Sequence, residues 1–195
     1  MVKTASEIIR ELSHGYNAPK NRLALLEKKG IYHKVVRGLY ETEENVSPIL
    51  LGALIFGPSY ISFESALSYW NLIPEKVLSV TMATTRKGKT KTFSTPFGSF
   101  MYRDVPAAVF PFEVFIKTEN ERNYLIAGRE KAMCDVLYRE RPLGSVRELK
   151  QFLFANMRIE EDDFFSLDFN ILQELCPLYK STNHKLLLKL VEKSK

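Results

Sequence analysis

Long apolar runs are missing from this sequence. No stretch of its 195 residues approaches the ~20 apolar residues needed to cross a bilayer, so no membrane partner is expected. Cysteine is scarce. Cys134 and Cys176 are the only two, too few for a disulfide framework, and each sits in apolar, helix-like sequence as a reduced, buried side chain would. His14, His33 and His184 are scattered, with no cysteine or carboxylate at metal-ligand spacing. There is no glycine-rich phosphate loop, no repeat and no low-complexity segment. Gly98-Ser99 would open a nucleotidyltransferase signature only with Asp-x-Asp close behind, and Asp104 stands alone. No basic leader followed by an apolar stretch appears, which leaves a cytoplasmic, reducing compartment as the expectation. These absences leave no complete catalytic constellation, so a non-enzymatic protein with no cofactor is expected; an enzyme acting on nucleic acid would have only the basic charge behind it.

Positive charge is what the chain has in surplus. Its formal net charge is +5, compatible with a nucleic-acid partner. The distribution says more than the sum. Residues 1–41 carry eight Lys or Arg against four Glu. From Val77 through Arg103 there are five basic residues and no acidic one, and four of the five form the run Arg86, Lys87, Lys89, Lys91. The acids gather late, in Glu160-Glu161-Asp162-Asp163, which reads as an exposed helix start. Hydrophobic residues at 45% suffice for a core without disulfides or metals.

Local patterning indicates an α+β protein. A small winged-helix-like module is expected over residues 1–45, then a mixed domain over 46–195 with an antiparallel sheet and a helical C-terminal part. Ile8, Ile9 and Leu12 give a first helix from Thr4 to His14, stopped by Gly15. Asn17-Ala18-Pro19 opens a second, running to about Lys29, with Leu23, Leu26 and Gly30 inward, Leu25 beside them, and Lys20, Asn21, Arg22, Lys28 and Lys29 outward. Ile31 to Val36, a turn at Arg37-Gly38 and a return at Leu39-Tyr40 make a basic hairpin. A basic helix followed at once by a basic hairpin is the layout of a winged helix-turn-helix, shortened here by one helix. On that reading Lys20, Asn21 and Arg22 approach base edges and phosphates, while Lys34 and Arg37 touch the DNA backbone. The competing reading is a solvated basic helix beside an ordinary hairpin.

The larger part begins with Ser47-Pro48 opening a helix that is apolar on all sides to Phe56 and is therefore expected to be buried. Ser62 caps the next, whose Phe63, Ala66, Leu67 and Trp70 form a core stripe. Strands are expected at Val77–Thr84, with Leu78, Val80 and Met82 on one face, and at Lys91–Thr95 and Ser99–Arg103 around the turn Pro96-Phe97-Gly98. A further hairpin, Phe112–Lys117 with Asn123–Ala127, completes an antiparallel sheet. Arg86, Lys87, Lys89 and Lys91, with Gly88 among them, form a mobile loop able to grip phosphate, or an ordinary charged hairpin tip. From Arg129 the chain is helical, with Met133, Val136 and Leu137 inward, a capping box at Ser145 and Glu148, caps at Asp168 and Ser181, and Lys185, Lys189 and Lys193 on a solvated face.

Four ordered motifs, YISFESALSYWNLIPE, VTMATTRK, FSTPFGSFMYRDVP and LIAGREKAMCDVLY, preceded by VVRGLYET, resemble the AbiEi-type antitoxins of type IV toxin–antitoxin systems. The likeness spans roughly Ile31 to Tyr138. It covers Arg37 to Tyr40 in the hairpin and Ser62, Ala66, Leu67 and Trp70 in the core helix. It continues through Thr84 to Lys87 in the basic loop and Glu130, Lys131, Ala132, Asp135, Leu137 and Tyr138 in the later helix. Arg129 stands where the pattern has Pro. The resemblance implies a prokaryotic transcriptional regulator that binds operator DNA of its own operon and counters a nucleotidyltransferase-like toxin in abortive infection. The shortened N-terminus keeps an alternative open, a protein-interaction module that has lost DNA reading and acts on the toxin directly.

Overall fold

A computed structural model describes residues 1–75 and 77–192. Helix α1 (Ala5–Ser13) starts at a complete capping box: the Thr4 hydroxyl accepts the Glu7 N–H while the Glu7 carboxylate takes the Thr4 N–H. The chain turns through Gly15 into α2 (Pro19–Lys28), which Pro19 opens without a capping side chain. Ile8, Leu23 and Tyr40 form a small apolar core with Ala5, Ile9, Leu12 and Tyr32 around it. Strands β2 (His33–Val36) and β3 (Leu39–Glu41) follow, joined at Arg37-Gly38, where Gly38 takes a φ of 83°. A strand with no sequence signal, β1 (Val2–Thr4), pairs antiparallel with β3 and gives the order β1-β3-β2. Three residues are too few to show a period; only the pairing with residues 39–41 makes them a strand.

The expected buried helix over 48–56 does not form. A 3-10 turn (Pro48–Leu50) and one short helix, α3 (Gly52–Ile55), stand in its place, and Leu54 is 53% exposed. The segment lies on the sheet so closely that a Cβ at Gly52 would come within 2.8 Å of Met82, and its far side faces solvent. Ser47 donates to Glu119 instead of capping.

A six-stranded sheet has the order β6-β7-β5-β4-β9-β8. Its strands are β4 (Tyr60–Ile61), β5 (Ser79–Thr84), β6 (Lys91–Thr95), β7 (Gly98–Asp104), β8 (Val114–Glu119) and β9 (Arg122–Ala127). Both expected hairpins are present, and the second turns at Asn120-Glu121 with φ of 48° and 61°, as a two-residue hairpin loop requires. The sheet is nevertheless mixed. β5 runs parallel to β7, and β4 parallel to β9. The β6–β7 hairpin folds back so that β7 lies beside β5, and two reversals restore the direction. β5 is thus central, and Thr81 to Thr84 are buried in succession instead of alternating. Leu78 falls outside the strand and is 94% exposed.

Helix α4 (Phe63–Tyr69) buries Phe63, Ala66 and Leu67 as expected, and the Trp70 indole donates to the Ala127 carbonyl at 2.8 Å. Helices α5 (Arg129–Arg139), α6 (Val146–Lys150, continued by a π-helical turn), α7 (Glu161–Phe165), α8 (Phe169–Tyr179) and α9 (Thr182–Glu192) complete an α+β protein. Asp168 and Ser145 cap their helices, whereas Ser181 bonds the His184 ring and Ser62 does not cap at all. Lys185 and Lys189 are exposed; Lys193 lies outside the described residues. Cys134 and Cys176 are buried with sulfurs 4.0 Å apart. No helix among the described residues is long and apolar enough to cross a membrane.

Ser62 has a different task. Its hydroxyl donates to Asp135 at 2.6 Å, and the same carboxylate accepts from Tyr60 (3.0 Å), Tyr179 (2.5 Å) and Lys131 (2.8 Å). Lys131 and Asp135 have no exposed side-chain surface. Burial and then the Asp135 charge push the Tyr60 and Tyr179 phenols far up, so both remain donors. This cluster joins β4, α5 and α8 at one point. Removing either charged member strands the other as a buried charge. Asp135→Ala is expected to destabilise the fold by about 3–5 kcal/mol in urea denaturation, and Lys131→Met to cost no more than that.

Candidate nucleic-acid interface

Two buried leucines decide which way α2 faces. Leu23 and Leu26 pack inward, so Asn21, Ala24, Leu25 and Lys28 lie three or four residues apart on the outward side, and all four are exposed. Lys20 borders this stripe on one side and Arg22 and Lys29 on the other. Leu25 is thus not a neighbour of the inner face, being 41% exposed, and Gly30 is not part of it either: it lies exposed past the helix end with a φ of 69°. Arg22 is half-buried. Its guanidinium lies 4.6 Å above the Tyr16 ring, and its Nε has neither solvent nor a partner. Among the three residues expected to approach base edges and phosphates, Asn21 is exposed within the stripe, Lys20 is exposed at its border, and Arg22 is held half-buried at the other border. Lys28 is outward as expected, whereas Ala24 and Leu25 were missed as members of that surface, although their spacing from Asn21 would have placed them there.

The β2–β3 hairpin stands beside α2. Lys34 and Arg37 are exposed, and the Gly38 carbonyl accepts the Ala5 N–H at 2.9 Å, which ties the hairpin turn to the start of α1. Val35 is buried in the large core, and the His33 ring meets Phe97 at 6.4 Å edge to face. The hairpin is therefore seated on the main sheet.

Glu41, at the end of β3, completes that seat. Its carboxylate is fully buried and takes Arg122 at 2.7 and 3.3 Å, the N–H groups of Thr42 and Glu43, and the amine of Met1. Burial raises this carboxyl, yet the Arg122 guanidinium, the amine and the two N–H groups outweigh it and hold it at about 2. Arg122 also reaches Glu43 at 2.7 Å. One guanidinium from the β8–β9 hairpin thus fastens the N-terminal sheet to the larger one.

The run from Arg86 to Lys91 is built differently from a mobile loop. Asp104, on β7, accepts the N–H groups of Lys87 and Gly88 at 2.7 Å each and the Thr84 hydroxyl at 2.6 Å. Burial works against this carboxylate, but those three donors keep it below the usual range. The Lys87 ammonium bonds the Gly57 carbonyl at 3.0 Å, and Lys87 and Lys91 both lie over the Phe56 ring, at 4.9 and 4.5 Å. Of the four cations in the run, Arg86 and Lys89 are exposed and Lys87 and Lys91 half-buried. The nine expected contact residues therefore fall into two groups. Phe97, beside β2, follows one end of β6, and Lys91 begins the other, roughly 13 Å away along the strand.

No family model and no curated protein matches the chain.

Because Glu41 sits far below its ordinary 4.5, the stability it contributes is complete above about pH 4.5 and is lost as pH falls toward 2. The expected loss is about 2 kcal/mol, less than the full shift implies, since Arg122 and Glu43 are partly solvated. Glu41→Gln should flatten that limb of the stability–pH curve, measured by denaturant titration.

Proposed function

We propose that this chain is a non-enzymatic, DNA-binding transcriptional regulator that serves as the antitoxin of a type IV toxin–antitoxin system. The observation that carries the reading is the β1-α1-α2-β2-β3 order with its β1-β3-β2 sheet, in which an exposed stripe on α2 and an exposed, cationic hairpin turn belong to one small module. The missing first helix of a winged motif does not remove either contact element. Asn21 and the aliphatic groups beside it would face base edges in the major groove, and Lys20, Lys28, Lys34 and Arg37 would face phosphates. Arg86 and Lys89 lie beyond the end of β6 that is away from Phe97, and would meet DNA that extends past the hairpin. The ordered motifs that resemble AbiEi-type antitoxins support the biological role, with operator DNA of the chain's own operon and a nucleotidyltransferase-like toxin as partners.

A second reading has one observation in its favour. Two adjoining apolar hollows, of about 270 and 390 Å³, share Ala53 and Leu125, and exposed Leu54 and Ile116 lie close by. Such a face suits a protein-interaction module that engages the toxin directly.

Binding to duplex from immediately upstream of the gene, followed by fluorescence anisotropy across a salt series, tests the first reading. A preference over random duplex is expected, and its absence at low salt would sink the proposal. Arg37→Ala should weaken all sequences alike and reduce the salt slope by about one. A stable complex with the toxin and no DNA binding would establish the second reading instead.

A further inference from the structure

We infer that the α2 stripe reads A·T base pairs. Asn21 takes an adenine through N6 and N7, and Leu25, with Ala24, packs on the C5-methyl group of a thymine one or two base pairs away. The inference rests on the DNA-binding reading above and goes on to say which sequence is read.

The chemistry of the stripe carries it. Each base pair offers its own set of groups in the major groove: guanine is taken by arginine or lysine, adenine by asparagine or glutamine, cytosine by a carboxylate, and the thymine methyl by apolar side chains. The outward centre of α2 presents one amide (Asn21), one methyl (Ala24) and one isobutyl group (Leu25), all exposed. Of the two cations that flank Asn21 in sequence, Arg22 is held over Tyr16 with its Nε buried, and Lys20 lies at the border of the stripe, about 100° round the helix from Asn21, where it faces phosphate. The one acid of the helix, Glu27, is half-buried and turned toward Tyr40, whose phenol it helps to raise after burial. Lys28 is seven residues from Asn21, about 10 Å along the axis, too far to share its base pair. Asn21 and Leu25, four residues apart, differ by roughly 6 Å of rise, a little under two base-pair steps of about 3.4 Å. Leu25 would otherwise be an aliphatic group in water among cations; against a thymine methyl it is covered.

The test begins with selection of duplexes from a random library by the full chain at low salt. The expected motif holds an adenine and a thymine within two base pairs. On the selected duplex, 7-deazaadenine at that adenine removes only N7, and deoxyuridine at that thymine removes only the methyl. The first should weaken the wild type about fivefold or more, and should have no further effect on Asn21→Ala. The second should weaken it roughly threefold, and should leave Leu25→Ser unaffected. Both substitutions are on the surface and spare the core. A G·C-centred motif, or full affinity with both altered bases, would overturn the inference while leaving DNA binding in place. Retention of no duplex at all would remove the DNA-binding reading, and this inference with it.

Discussion

The carboxylate of Asp135 is the joint on which the rest of the molecule depends. Four donors converge on it from three elements, and neither Asp135 nor Lys131 keeps any contact with water. A buried charge pair is not a source of stability in itself, since desolvation consumes most of the attraction. Its effect is on specificity of arrangement. Tyr60 and Ser62 can reach Asp135 only if β4 lies where it does, between β5 and β9. That position sets the mixed sheet, and with it the place of α4, whose Trp70 then reaches the Ala127 carbonyl. The acids and bases of this cluster thus organise the core from within it.

Glu41 plays the equivalent part at the other end of the chain. The N-terminal core is small, with Ile8, Leu23 and Tyr40 at its centre, and needs an anchor. Arg122 supplies it, with Val35 inserted into the large core and His33 against Phe97. The consequence for function is geometric. A module held by its strands leaves the outward residues of α2, and Lys34 and Arg37 of the hairpin, exposed.

Much of this was legible in the residues, for identifiable reasons. The helices at 5–13, 19–28 and 63–69 and the two hairpins of the large sheet carry local periods or turn residues, and these the chain states plainly. What was not legible depends on partners distant in sequence. β1 exists only against β3, and the parallel pairings of β4 and β5 follow from how hairpins dock. Lys131 and Asp135, four apart on a helix, look like a solvated ion pair until the fold buries both. The same limit applies to the interface. Counting cations grouped Arg86 to Lys91 with the α2 residues, but Asp104 and Phe56 hold half of that run to the protein surface. Leu25, with no charge to draw notice, belongs on the outward face instead.

The central claim is that one surface, made by α2 and the β2–β3 hairpin, receives DNA. Backbone amide hydrogen exchange of the full chain, with and without saturating duplex at low salt, tests it most directly. The account predicts new protection confined to residues 19–29 and 33–38, with 86–91 unchanged on a short duplex. Protection centred on 86–91, or on the apolar hollows around Ala53 and Leu125, with none in α2, would contradict it.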